Sequence, residues 1–388
     1  MFILKAKYNS ALVMLEDQSL VENETISQIY SFLNHPAFEN SHIAIMPDCH
    51  AGKGAVVGFT MKTNDYVIPN VVGVDIGCGV LAVRLDGIKN INFEALDKAV
   101  RKIPSGFHKY PIDTNGSNKP FVRNERICSK IEDLKELTRT IGTKYEDVVA
   151  SLGTLGGGNH FIEVSVDEQG TYWLVIHTGS RNFGLKIANF YQNEAKKLMK
   201  QMFVGDAYKN LEFLPIDNGG KEYLYAMDIA QEYASKNRQE IAKNLIENFF
   251  KLKIKDLKKI ESVHNYIDLE NGYVRKGAIS AQEGEELIIP LNMRDGSIIG
   301  KGKGSKKWNY SAPHGAGRIL SRKKAKETLE MVEYKESMNG IYTTCISNKT
   351  IDESPMAYKN KDLILDSIGE TVDFDFILKP VYNFKASD

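Results

Sequence analysis

The sequence predicts an α+β fold, and three observations predict it. Helical and strand-like patterns are mixed along the chain without the regular strand–helix alternation of a doubly wound sheet. The strand-like runs are short, broken by glycine turns, and two of them carry hairpin signals. The chain has 388 residues with 50 basic and 50 acidic side chains, an ordinary globular composition. That length can bury a large core, as one domain or two intimately joined ones.

Taken in order, "ISQIYSFLNHP" reads as a helix stopped by Pro36. "HIAIMP", "AVVGFTM" and "NVVGVDIGCGVLAVRL" read as strands. Helical patterns follow near 92–103 and 129–141, and a lysine-faced one includes Lys196 and Lys200. A long amphipathic stretch from about Glu222 to Leu257 reads as more than one helix. In "NHFIEVSVDEQGTYWLVIHTGS" a turn centred between Glu168 and Gln169 sets His160 opposite His177. Ile162, Val164 and Val166 then share a face with Thr171, Trp173 and Val175. Directly opposed side chains start within ~5 Å at Cβ, close enough to share a ligand. In "VHNYIDLENGYVRKGAIS" the Asn271-Gly272 pair sets Asp268 opposite Arg275 and leaves His264 near the open end.

Composition excludes some classes. No apolar run is long enough to span a bilayer, and "MFILKAKYNS" lacks the layout of a secretory leader. Cys49, Cys78, Cys128 and Cys345 have no framework spacing, so free thiols and a cytoplasmic location are expected. Zero net charge argues against a general nucleic-acid coat but leaves room for a local basic groove. The lysine runs "GKGKGSKKW" (300–308) and "SRKKAK" (321–326) are, by default, solvated faces.

Chemistry concentrates beside glycines. "DIGCG", "LGGGNH", "IHTGSR" and "PHGAGR" each set a reactive polar group against flexible backbone. A lone cysteine among apolar residues is usually core, and a lone strand-end histidine is usually just hydrogen-bonded. Four such loops in one chain are hard to explain as packing. Glycines 73, 77 and 79 allow Asp75 and Cys78 to turn toward one centre. With His160, His177 and His264 they make a five-member ligand set. Five exceed a closed structural zinc site and suit two adjacent ions bridged by Cys78, an arrangement used in phosphoryl chemistry. Ligand type leaves zinc, manganese and magnesium open. "APHGAGRILSR" (312–322) adds an accessible imidazole, His314, with open backbone N–H groups and two arginines.

These motifs resemble those of the RtcB RNA ligase family. The likeness rests on "MPDCHAGKGAVVG" (46–58), "GVDIGCGV" (73–80), "GGGNHFIEV" (156–164), "IHTGSRNFG" (176–184) and "HNY" (264–266). It continues through "RKGAISA" (275–281), "HGAGR" (314–318), "SPMAYK" (354–359) and "LKPVYNFK" (378–385). The resemblance implies one large α+β domain over 1–388, with mixed and antiparallel sheets around a central manganese site. It implies GTP-dependent joining of RNA 3′-phosphate or 2′,3′-cyclic phosphate ends to 5′-hydroxyl ends, in RNA repair or tRNA splicing. By motif, Asp75, Cys78, His160, His177 and His264 match ligands of two Mn²⁺ ions, with Cys78 shared. His314 matches the histidine that becomes covalently guanylylated. Asn159 and Arg181 match residues near the transferred or substrate phosphate. Phe161, Glu163, Arg318, Tyr358 and Lys385 match positions around GMP, with Glu163 and Lys385 at the guanine. The N–H groups of Gly315, Ala316 and Gly317 would approach phosphate.

The chain departs from the family pattern at Gly77, where most members carry Asn, at Pro313, often Ser, and over 290–313, where many have a "PGSMG"-type loop. None of these removes a ligand. The metal set alone would equally suit a phosphoesterase acting on cyclic phosphates or nucleotides. The motifs do not settle the natural RNA, the oligomeric state or any need for an activating protein.

Overall fold

The computed structural model describes residues 1–111, 129–202 and 208–386. Two sheets organise the chain. A six-stranded sheet runs Phe2–Lys5, Ser10–Val13, Ile43–His50, Val57–Lys62, Tyr273–Lys276, Asn265–Asp268. A seven-stranded sheet runs Lys259–Val263, Gly79–Arg84, Tyr172–Thr178, Phe161–Val166, Val372–Lys385, Gly296–Gly302, Glu286–Asn292. Every pairing but one is antiparallel; Ser10–Val13 and Ile43–His50 run parallel. The α+β class read from the sequence is the class observed.

Within the long amphipathic stretch, Lys221–Asn248 is one continuous α-helix and Ile254–Asp256 a short helical turn, so the stretch holds more than one helix, as the pattern suggested. The long helix contains no Gly or Pro to break it, and 28 residues give it about 42 Å. Each end belongs to a different core. Tyr223, Met227, Ala230 and Tyr233 pack with the six-stranded sheet and the helices Asn23–Leu33 and Arg181–Gln201. Ile241, Leu245 and Ile246 pack against Leu81, Val83, Ile162, Val164, Leu174 and Ile176 of the seven-stranded sheet. Two hydrophobic faces claimed by two sheets keep the helix continuous.

The run "NVVGVDIGCGVLAVRL" is broken at its glycines, as the sequence suggests, and its first part is helical rather than extended. Pro69–Val72 is a helical turn, Gly73 and Gly77 take positive φ (101° and 70°), and the strand begins only at Gly79. Asp75 and Cys78 therefore sit on a loop rather than a strand.

Both hairpins differ in register from the sequence reading. Phe161, not His160, pairs with His177. The turn is a three-residue loop: the Asp167 N–H bonds Thr171 O, the Asp167 carboxylate accepts from the Gln169 and Thr171 N–H groups, and Gly170 has φ 78°. A loop with an odd residue count slips the register by one and exchanges the faces. Phe161, Glu163 and Ser165 thus share a face with Trp173, Val175 and His177, while Ile162 and Val164 turn to the core with Leu174 and Ile176. In the second hairpin Asp268 pairs with Tyr273 across a four-residue loop closed by Gly272 (φ 68°). The shift there is two residues, which preserves the face. Arg275 Nη1 still reaches Asp268 Oδ2 at 3.0 Å, diagonally.

Cys49, Cys78 and Cys345 are free and buried; Cys128 lies outside the described residues. Among the described residues no helix is long and apolar enough to cross a membrane. In the lysine runs, Lys303, Lys307 and Lys326 pair with Asp373, Glu370 and Asp352.

Candidate metal centre and nucleotide cavity

The chain passes from one sheet to the other at His264, between Lys259–Val263 and Asn265–Asp268. Its N–H donates to Cys78 O at 2.9 Å, and its carbonyl accepts from the Gly277 N–H at 2.6 Å. The two sheets therefore meet where the chemistry-bearing loops converge. Cys78 Sγ lies 3.4 Å from His160 Nε2 and 3.3 Å from His177 Nε2. His160 Nε2 is 3.0 Å from Asp75 Oδ2. The ring centroids of His177 and His264 are 5.2 Å apart. All five sequence-predicted ligands are thus neighbours. His160 joins from the loop just ahead of its strand, which is why the register slip does not disperse the set.

These donors suit a cation. Sγ of Cys78 and one nitrogen each of His160 and His177 lie within 4.8 Å of one another, and all three residues are buried. Nδ1 of His160 and of His264 has no hydrogen-bond partner among the described residues. Burial, with neighbouring histidines, drives the His177 and His264 pKa values well down and keeps both rings neutral, the form that donates to metals. Burial and the adjacent Asp75 push the Cys78 thiol well up, so a thiolate there needs a compensating cation. Burial also pushes the Asp75 carboxyl up, but the His160 hydrogen bond and charge outweigh it and its pKa is lowered. Outer contacts fix the loops: Asn159 O faces His177 Nδ1 at 3.2 Å, and buried Arg238 donates to Gly77 O and Thr178 O, both at 2.8 Å. Close approach demands glycine at 179, where an added Cβ would lie 2.1 Å from Asp75 Oδ1.

Beside the cluster opens a cavity of 310 Å³. His314 enters it at the end of Ser311–Pro313, a short strand paired with Ala278–Ser280, with its ring centroid 4.7 Å from that of His264. Nδ1 of His314 is 2.6 Å from Oδ2 of the fully buried Asp48. Gly317, at φ 73°, lets the loop press on Asp48; a Cβ there would lie 2.2 Å from its carbonyl oxygen. Gly315, Ala316, Asn159 and Phe161 line the same cavity. Glu163 stands buried at its floor, accepting from Ser165 Oγ at 2.6 Å and Asn383 Nδ2 at 2.8 Å. Burial raises its pKa to about 7, against those hydrogen bonds and Lys385. Lys385 Nζ lies 5.3 Å from the Phe161 ring centroid and 3.1 Å from Glu353 Oε2.

One predicted phosphate contact, Arg181, is placed apart from the rest, and another, Arg318, is taken up by protein partners. Arg181 lies in a second cavity on the other flank of His160, whereas Asn159 lines the first. Arg318 lines the first cavity, yet its guanidinium is committed to Leu320 O (3.0 Å), Asp352 O (2.5 Å) and Glu353 Oε1 (3.4 Å), over the Tyr358 ring. Sequence reasoning missed Asp48, Glu353 and Arg238, and had Arg322 only as one of the two arginines beyond His314. Burial raises the Glu353 pKa, but Lys385, Arg322, Tyr358 and Arg318 outweigh it and hold it at about 2. Asp48 was legible in principle, since it falls inside "MPDCHAGKGAVVG". Glu353 sits in ordinary sequence with no local signal.

The fold and site define an α+β protein with a buried cysteine–histidine cluster edged by the half-buried Asp75, and an adjoining polar cavity headed by a carboxylate-bound histidine. A family profile described as "tRNA-splicing ligase RtcB" matches residues 28–386. The chain is 31% identical to the RNA-splicing ligase RtcB of Escherichia coli (strain K12) over 394 residues, spanning 94% of this chain and 95% of that one. It is 28% identical to the tRNA-splicing ligase RtcB of Nanoarchaeum equitans, spanning 91% and 88%. The chain belongs to the RtcB family.

Proposed function

We propose that the protein is a GTP-dependent RNA ligase that seals 3′-phosphate or 2′,3′-cyclic phosphate ends to 5′-hydroxyl ends. The observation that carries this reading is the placement of His314. Its Nδ1 is bound to Asp48, so Nε2 is left to act as the nucleophile, beside the donor cluster and in the cavity that holds Glu163 and Lys385. A hydrolase would need the cluster but not a buried, guanine-matching carboxylate. The names of the relatives agree with the reading.

His314 Nε2 attacks the α-phosphorus of GTP, pyrophosphate leaves, and GMP remains on nitrogen. Asp48 holds the ring and stabilises the charge it gains. Glu163 accepts from the N–H edge of guanine, and Lys385 donates to its carbonyl. The GMP then passes to the RNA 3′-phosphate, freeing His314; a cyclic end is first opened by water. The 5′-hydroxyl attacks the activated phosphorus, a 3′,5′-phosphodiester forms, and GMP departs. Asp75, Cys78, His160, His177 and His264 would hold two manganese ions, which supply charge stabilisation at the phosphates when bound. Sealing in a reducing, cytoplasmic setting is in keeping with the free thiols.

The test offers the protein manganese, GTP labelled at the α-phosphate, and two RNA strands with the stated ends. Joined RNA and label retained on denatured protein support the reading. Cyclic-phosphate hydrolysis without label or joining would replace it with the phosphoesterase.

A further inference from the structure

A second cavity, of 720 Å³, reaches the same centre. Asp75 lines both cavities; His160 and Arg181 belong to the second, and Phe107 stands in its wall. Phe107 is 96% exposed, the most exposed large apolar side chain among the described residues. A single exposed apolar side chain is ordinary. This one is displayed by a fastened turn. Leu155 N–H bonds Pro104 O at 2.9 Å, His108 N–H bonds Ser105 O at 3.0 Å, and Tyr110 N–H bonds Ala150 O at 2.9 Å. Arg181 Nη2 donates to Gly106 O, immediately before the ring. Arg181 also donates from Nε to Thr154 Oγ1 at 2.9 Å. It closes with His160 over Gly156, where an added Cβ would lie 2.0 Å from His160 Nδ1 and 2.5 Å from Arg181 Nη1. One guanidinium thus ties an exposed aromatic ring to the edge of the donor cluster.

An aromatic face beside a cation is how single-stranded nucleic acid is held without sequence readout: the base stacks and the backbone meets the charge. The sealing step says which strand. In-line displacement sets the entering and leaving oxygens on opposite sides of phosphorus. GMP leaves into the cavity of Glu163 and Lys385, so the entering strand needs another approach, and the second cavity supplies it.

We infer that Phe107 is a stacking platform for a terminal base of the 5′-hydroxyl RNA strand, which enters through the Arg181 cavity. The inference rests on the ligase reading above. The probe is a short 5′-hydroxyl RNA carrying 5-iodouridine at its first nucleotide, irradiated on the manganese-loaded protein, with the crosslink mapped by peptide mass spectrometry. Binding of the same RNA is followed by fluorescence anisotropy. The crosslink falls on Phe107. Phe107→Ala weakens binding at least about five-fold, Phe107→Trp restores it, and neither changes the melting temperature, because the ring is exposed. A matched strand with a 3′-terminal cyclic phosphate, iodinated at its last nucleotide, binds Phe107→Ala and the parent protein equally. Three results overturn the inference: equal 5′-strand affinity in Phe107→Ala, a crosslink elsewhere, or an effect confined to the 3′-phosphate strand. Should the parent protein take up no GMP and bind neither strand, the ligase reading falls and this inference with it. Parent protein that takes up GMP and binds both strands isolates the Phe107 result.

Discussion

Oδ2 of Asp48 meets both Nδ1 of His314, at 2.6 Å, and the His314 backbone N–H, at 3.1 Å. One buried carboxylate thus fixes the ring and its attachment together. Lys359 Nζ anchors the Asp48 segment from behind, through Pro47 O at 3.2 Å and Cys49 O at 2.8 Å. Asp48→Asn removes the charge that holds the Nδ1–H edge of His314 and offsets the charge the ring gains as Nε2 attacks. GMP labelling of His314 should slow by about 10²-fold or more, while GTP affinity, read by equilibrium binding, stays within a few-fold. Unchanged labelling rates in Asp48→Asn would remove Asp48 from the mechanism.

Glu163 makes the cavity pH-dependent. Its folded-state pKa of about 7 lies above the 4.5 of an ordinary glutamate, because burial disfavours the charged form. Between those values the folded protein keeps a proton that the unfolded chain has released. Stability is therefore greatest below about pH 4.5 for this group and falls as pH rises toward 7, by roughly 3 kcal/mol. Guanine recognition runs the other way, since only the carboxylate accepts from both N–H groups. GMP affinity measured by calorimetry should rise from pH 6 to pH 8, and Glu163→Gln should flatten both trends. A flat GMP profile in the unaltered protein would contradict the assignment.

Gly77 has a steric explanation. Asn tolerates its positive φ, but an added Cβ would lie 2.8 Å from Gln231 Cα and 3.0 Å from Ala234 Cβ of the long helix. Gly77→Asn should lower stability by about 1–3 kcal/mol, read by chemical denaturation. An equally stable variant would show that the helix yields easily there.

Much of this was legible in the sequence, for identifiable reasons. Asp75, Cys78, His160, His177 and His314 were found because glycine-flanked reactive side chains are unusual in packed cores, and His264 because a hairpin signal left it at an open end. The Phe161–His177 pairing was missed because Asp167 closes an odd loop, and a capping carboxylate decides that rather than periodicity. More than one helix over 222–257 was legible, but only the two sheets reveal that each end of the long helix 221–248 has its own core. The pairing of Glu353 with Arg322 could not be seen, since it spans 31 positions of the sequence.

Cys78 stands between His160 and His177, and its sulfur is the shared point of the donor set. Cys78→Ala should lose manganese from both sites in metal analysis after dialysis, whereas His264→Ala should weaken mainly one. Unchanged manganese content in Cys78→Ala would rule out a bridging thiolate.

The central claim is that His314 carries GMP. The direct measurement is peptide mass spectrometry of protein incubated with GTP and manganese and digested under conditions that preserve phosphoramidates. The account predicts a GMP adduct on His314 that is absent from His314→Ala. That variant should still seal RNA supplied with a preactivated 3′-pp-5′-G end, because the activated strand bypasses nucleotide capture. A GMP adduct mapped to any other residue, or His314→Ala labelled as readily as the parent protein, would contradict it.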